Sequence, residues 1–155
     1  MTRAWLAVMV LGACGAGGDT PFAVDSGVPV TTQLLAGWKE AMTIADFHTA
    51  NMAHAWSTMK STDNQLCTSC HTEYGSADEA LFFSQVQLDQ EILTRFFAVS
   101  GSKIVVNDDS FMRAATHQPP VPTHPAFDPA TAIGVVALRQ FYTLTCGHAP
   151  ELCGM

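Results

Sequence analysis

The pentapeptide Cys67-Thr68-Ser69-Cys70-His71 decides how the rest of this sequence is interpreted. Its two cysteines lie three positions apart, and a histidine directly follows the second one. The chain has only five cysteines and six histidines among 155 residues, so the pattern rarely arises by chance. Two thiols at this spacing can add to the two vinyl groups on one side of a porphyrin, which holds the adjacent imidazole beneath the iron. The motif therefore predicts one covalently bound haem c per chain, attached to Cys67 and Cys70 with His71 as an axial ligand.

Two other uses of a closely spaced cysteine pair fit the surrounding sequence less well. A structural zinc site needs four ligands, and the chain contains no second pair of cysteines or histidines at ligand spacing near the motif. A thioredoxin-like pair begins a helix directly after a strand. The segment before the motif, Lys60 to Leu66, is instead polar and contains the turn-forming run Ser61-Thr62-Asp63-Asn64.

The N-terminus has the order of an export signal. Arg3 precedes a short apolar stretch from Ala4 to Leu11, and Leu11-Gly12-Ala13-Cys14 looks like a bacterial lipobox. We therefore expect a lipoprotein signal peptide at 1–13, an acyl anchor on Cys14, a flexible tether at 14–31 rich in small residues, and a folded domain at 32–155. The alternative is an ordinary signal peptide cut nearby, with Cys14 discarded or left free.

The remaining cysteines and the charge balance fit an exported protein. Cys146 and Cys153 flank a turn-rich hexapeptide, and an oxidising compartment makes a disulfide between them plausible. The formal net charge is −7 and the basic residues are scattered singly, which argues against a nucleic-acid partner. An acidic surface favours a protein partner with a basic docking patch.

Apolar residues recur at helical spacing along most of the domain, which predicts an all-α fold. One long helix or two abutting ones are expected between Thr32 and Lys60, and a capping box at Ser76-Ala77-Asp78-Glu79 opens another. A stripe containing Leu88, Ile92 and Phe96 predicts a helix that ends near Gly101, and Lys103 to Asn107 is compatible with extended backbone.

The end of the domain is expected to be a loop followed by a helix. The segment from Thr116 to Pro125 holds four prolines and two histidines, so it must be irregular. Asp128-Pro129 then has the signature of a helix start, with the aspartate as cap and the proline in the first turn. An apolar face made of Val135, Leu138, Phe141 and further residues follows.

Together with the CTSCH motif, this order of elements resembles the monohaem class I cytochrome c family, from about Thr32 to Leu144. The resemblance implies that the first and last helices cross and that the haem lies in an apolar crevice. Position by position, Cys67 and Cys70 match the thioether cysteines, and His71 matches the proximal ligand. The family usually supplies the sixth ligand from a methionine in the loop before the last helix.

The sequence departs from the family at this sixth ligand. Met112 is the only methionine between the motif and Asp128, and it lies far from the expected helix start. His124 lies closer, between prolines in Pro122-Thr123-His124-Pro125, where a rigid loop can present it at small entropic cost. We therefore expect His71 and His124 to be the two iron ligands, with Met112, His117 or an open site as alternatives.

The resemblance implies one-electron transfer by a lipid-anchored carrier rather than an enzyme. The carrier would work on the periplasmic side of a bacterial membrane, more in keeping with the outer than the inner membrane, because Gly15 after Cys14 gives no obvious inner-membrane retention signal. An open sixth position would instead imply a peroxidase-like or gas-sensing cytochrome. A third possibility is an accessory lipoprotein in which the haem is structural.

Overall fold

A computed structural model describes residues 29–71, 83, 85–118 and 124–154 of the chain. The expected signal peptide, nearly all of the tether and the helix expected from Ser76 lie outside these residues. The described elements are α1 (Val30–Ala41), α2 (Ile44–Thr49), α3 (Met52–Thr58), α4 (Gln90–Thr94), β1 (Phe97–Ser100), β2 (Lys103–Val106), α5 (Asp108–Ala115) and α6 (Ile133–His148). Single 3₁₀ turns form at Cys67–Ser69 and Pro150–Leu152.

The stretch expected to form one or two helices contains three. The backbone turns extended at Met42, and the Thr43 side chain accepts a hydrogen bond from the Asp46 amide at 3.1 Å, which caps the start of α2. Asn51 adopts a left-handed conformation with φ of 55°, which asparagine tolerates better than most residues, and α3 begins after it. The apolar stripe survives these breaks because each short helix presents its buried side to the same core.

A β-hairpin replaces the second half of the helix that was expected to end near Gly101. That helix, α4, ends at Thr94, and β1 then pairs antiparallel with β2. Gly101 occupies the turn with φ of 63°, a conformation that glycine adopts without strain. The strand β2 confirms extended backbone at this segment, and its β-branched residues favour that conformation. The all-α prediction did not include this two-stranded sheet.

The last helix begins at Ile133, so the prediction of a start at Asp128-Pro129 was wrong. Asp128 instead closes a separate turn, in which its carboxylate accepts hydrogen bonds from the Ala130 amide at 2.9 Å and the Thr131 hydroxyl at 2.7 Å. An aspartate followed by a proline favours a turn as well as a helix cap, and here the turn is formed.

The C-terminal tail is tied back to the hairpin. Cys146 and Cys153 form the predicted disulfide, with their Cα atoms 5.9 Å apart. Cys153 forms a parallel β-bridge with Ile104, whose carbonyl also accepts a hydrogen bond from the Gly154 amide at 3.2 Å. The Tyr142 hydroxyl donates to the same carbonyl at 2.8 Å. The end of the tail, at Cys153 and Gly154, is therefore held against β2.

The core forms where α6 packs against α3. A Cβ atom on Gly134 would lie 2.8 Å from Met59 Sδ and 2.9 Å from Trp56 Cδ2, so the two helices approach closely at this glycine. The helix α1 contacts α4 and the hairpin more extensively than it contacts α6, whereas α3, from the same expected helical stretch, packs directly against α6. Among the helices described, none is both long and apolar enough to cross a membrane.

Candidate functional site

A closed turn positions the CTSCH motif. Residues Lys60 and Leu66 form an antiparallel β-bridge across it, and Lys60 Nζ donates to Asn64 Oδ1 at 2.9 Å. Asn64 takes a left-handed φ of 68° at the tip. Directly after the turn, the Cys67 amide donates to the Met59 carbonyl at 3.0 Å, which ties the motif to the end of α3. The sequence between Lys60 and Leu66 is therefore a turn, as predicted.

The two motif cysteines are free thiols. Cys67 and Cys70 are each partly buried, and the only disulfide among the described residues joins Cys146 to Cys153. Burial is the main cause that raises the pKa of the Cys67 thiol above its ordinary value, so this group is protonated at neutral pH. The 3₁₀ turn over Cys67–Ser69 brings His71 back over the motif, with its amide donating to the Cys67 carbonyl at 3.1 Å.

The imidazole of His71 lies next to that of His124. The two ring centroids are 5.9 Å apart and the ring planes are tilted by 51°. His124 Nδ1 donates to the carbonyl oxygen of Pro125 at 2.7 Å, because a carbonyl can only accept. This bond fixes the tautomer and leaves the lone pair on Nε2, the arrangement that metal-binding histidines commonly have.

Burial keeps the His124 ring uncharged. Desolvation is the largest cause that lowers the pKa of His124, and the neighbouring rings of His71 and His117 lower it further, whereas the Pro125 carbonyl acts in the opposite direction. The ring is therefore neutral at neutral pH, which is the form that binds a metal ion.

The spacing of the two rings fits a shared metal ion. Metal–nitrogen distances to histidine are about 2.0–2.1 Å, so two imidazoles on opposite sides of one ion have centroids roughly 6 Å apart. The observed 5.9 Å is close to this separation and is also an ordinary distance for two rings in direct contact. Two free thiols three residues apart directly precede His71 in the chain. These residues fit a covalently attached haem with two histidine ligands.

The loop that carries His124 is held from several sides. We call residues His124 to Ala132 the ligand loop. The Thr62 amide, in the turn before the motif, donates to the Ala126 carbonyl at 2.8 Å. Phe127 is buried, and its ring lies edge-on to His124 with centroids 5.7 Å apart. Sequence reasoning missed Phe127, whose only signal was a large apolar residue in an otherwise polar, proline-rich stretch.

The alternative ligands are placed differently. Met112 is half exposed on the surface of α5. His117 is exposed just after α5 and has a left-handed φ of 58°. Among the described residues, no group of three or more His, Cys, Asp or Glu side chains is arranged to hold a metal ion. A separate cavity of about 280 Å³ lies beside α2 and α3 and is lined by Phe47, His48, Asn51, Met52, Ala53, His54 and Gln85.

No protein-family model matches this chain, and no curated protein or solved structure matches it either. The CTSCH motif and the geometry around it are therefore the features that bear on function.

Proposed function

We propose that this chain is a c-type cytochrome that transfers single electrons. One haem would be bound covalently through Cys67 and Cys70 and ligated by His71 and His124. The observation that carries this proposal is the neighbouring pair of imidazoles, 5.9 Å apart between ring centroids, one of which directly follows two free thiols at CxxCH spacing. A haem bound there would supply an iron that accepts and releases one electron.

The chain's own residues would tune and protect that site. The bond from His124 Nδ1 to the Pro125 carbonyl holds the ring in one orientation and makes Nε2 a better donor. Two imidazole ligands give a lower reduction potential than an imidazole and a thioether, so we expect a low-potential carrier. Phe127 packs against His124 and limits the access of water to this side of the site.

The surface supports transient docking with a basic redox partner. The formal charge of −7 creates a field that attracts a positively charged protein patch and weakens at high salt. The contact is expected to be small and short-lived, as in other electron-transfer encounters.

Export to an oxidising compartment is part of the proposal. The disulfide between Cys146 and Cys153 supports it, because such bonds form and persist outside the cytoplasm. An acyl anchor on Cys14 would then hold the domain at the periplasmic side of a membrane through the tether at 14–31. Cys14→Ser should move the protein to the soluble fraction; retention of the variant in washed membranes would contradict the anchor.

The position of His124 favours a carrier over an open-site enzyme or sensor. A neutral, half-buried imidazole already stands opposite His71, where an open-site protein would keep space for a gas or peroxide. Carbon monoxide separates the two functions: slow binding to the reduced protein at neutral pH supports the carrier, and rapid binding would support the open site.

The decisive experiment measures covalent mass. The chain is expressed with its export signal in a bacterial host that assembles c-type cytochromes, then denatured and weighed. We expect the additional mass of one haem, lost in Cys67→Ala/Cys70→Ala and retained in the matched variant Cys146→Ala/Cys153→Ala. An unsubstituted chain without that mass would refute the proposal.

A further inference from the structure

Arg139 joins the ligand loop to the rest of the domain. From the first half of α6, its Nη1 donates to the Pro129 carbonyl of the loop at 3.0 Å. Its Nη2 lies 2.8 Å from Asp108 Oδ1, at the start of α5. A single guanidinium therefore fixes the loop and α5 relative to α6, using the planar fork that lysine lacks.

The two segments that Arg139 connects carry the three candidate iron ligands. His124 lies in the ligand loop, whereas Met112 lies on α5 and His117 just after it. A shift of the loop relative to α5 would therefore change how these side chains are placed relative to His71. The Thr62–Ala126 bond and buried Phe127 hold the first half of the loop, and the Pro129 carbonyl is the attachment point of the second half.

We propose that Arg139 is a positioning residue that keeps His124, rather than His117 or Met112, opposite His71. This inference rests on the proposed function, because it concerns the choice of haem ligand. The bond to the Pro129 carbonyl is partly buried and carries the effect. The ion pair with Asp108 is exposed on both sides, with 40% and 57% of the side-chain surfaces accessible, and such pairs contribute little.

The test compares four substitutions in the haem-loaded protein. Arg139→Gln removes the guanidinium and with it the hydrogen bonds to Pro129 and Asp108. Arg139→Lys retains the positive charge, but a single ammonium group can bond well to only one of the two acceptors. Asp108→Asn removes the ion pair and leaves the bond to Pro129. Arg113→Gln removes the same charge from the last turn of α5 and controls for electrostatics.

Two measurements report the position of the loop. In a haem-loaded protein ligated by His124, the rate of carbon monoxide binding to the reduced form would depend on how readily His124 is displaced. Hydrogen exchange at the Thr62 amide reports its bond to Ala126. We expect Arg139→Gln to increase both rates on the order of tenfold, the lower range for a charge-assisted hydrogen bond, with Arg139→Lys in between. Near-infrared magnetic circular dichroism of Arg139→Gln should also show a mixture of axial ligand pairs.

The controls separate this inference from the proposed function. Asp108→Asn and Arg113→Gln should keep the rates and spectrum of the unsubstituted protein. If Arg139→Gln only lowers the melting temperature, with rates and spectrum equal to those of Asp108→Asn, the positioning role is wrong. Absence of covalent haem from the unsubstituted chain would refute the proposed function instead, and haem content is therefore measured first for every variant.

Discussion

The ring of His124 lies beside that of His71, with centroids 5.9 Å apart, although the two residues belong to segments far apart in the sequence. The contact depends on the ligand loop docking onto the turn before the motif, where the Thr62 amide bonds to the Ala126 carbonyl at 2.8 Å. The protein therefore builds both sides of the site from irregular backbone that α3 and α6 hold in place. Rigid support of this kind lets a loop present a ligand with little loss of entropy on binding.

Replacing His124 with alanine should remove the sixth ligand and leave the haem attached. The ferric spectrum is expected to change from low spin to high spin, because one imidazole no longer ligates the iron. His117→Ala and Met112→Ala serve as matched controls and should retain the low-spin spectrum. A low-spin spectrum in His124→Ala would assign the ligand to one of those two residues, and a double variant would then identify which one.

The motif could be read from the sequence, and the disulfide was a plausible pairing there, because both depend on local spacing. The choice of His124 was also a sequence prediction, based on its position between prolines, and the structure brings that residue to His71. Arg139 and Phe127 could not be predicted in the same way. Their roles come from contacts between distant segments, and a single sequence contains no local signal for such contacts.

The errors in secondary structure have a related cause. Phe96 and Phe97 continue the apolar spacing of the helix before them, which locally favours helix. The antiparallel pairing of Phe97 with Val106 nevertheless makes this segment a strand. Asp128-Pro129 carries the signal of both a helix start and a turn. The Arg139 guanidinium donates a hydrogen bond to the Pro129 carbonyl in this turn, and α6 begins only at Ile133.

Removing the Tyr142 hydroxyl should destabilise the protein and change how its stability depends on alkaline pH. Burial raises the pKa of Tyr142 above its ordinary value of 10.0, so the unfolded chain ionises before the folded one. The stabilisation from the protonated hydroxyl is therefore full below pH 10.0 and is lost as the pH rises toward the higher folded pKa.

Urea unfolding of Tyr142→Phe tests this linkage. At neutral pH the variant should lose about 1 kcal/mol, because its hydrogen bond to the Ile104 carbonyl is absent. The difference between the two proteins should shrink at pH values above 10.0. A difference that stays constant across this range would show that the hydroxyl does not titrate differently in the folded and unfolded states.

Removing the disulfide with Cys146→Ala/Cys153→Ala should lower stability without changing the haem site. The bond closes a loop with a sequence separation of 7, and chain entropy predicts a loss of about 2–3 kcal/mol for so short a loop. The urea midpoint should fall, while the visible spectrum of the folded protein stays the same. A changed axial spectrum would indicate that the C-terminal tail helps to place the ligands.

The two glycines of α6 provide a paired test of the contact between α3 and α6. Alanine at Gly134 would place a Cβ atom 2.9 Å from the ring carbon Cδ2 of Trp56, which is buried and rigid. One of the helices must then move, at an expected cost of about 1–3 kcal/mol.

Gly147 lies in the same helix, but a Cβ atom there meets nothing within 4 Å. Gly147→Ala should therefore be neutral or should stabilise the protein by up to about 1 kcal/mol through helix propensity. Thermal unfolding of both variants checks the contact, and equal effects at the two positions would place the closest approach of α3 and α6 elsewhere.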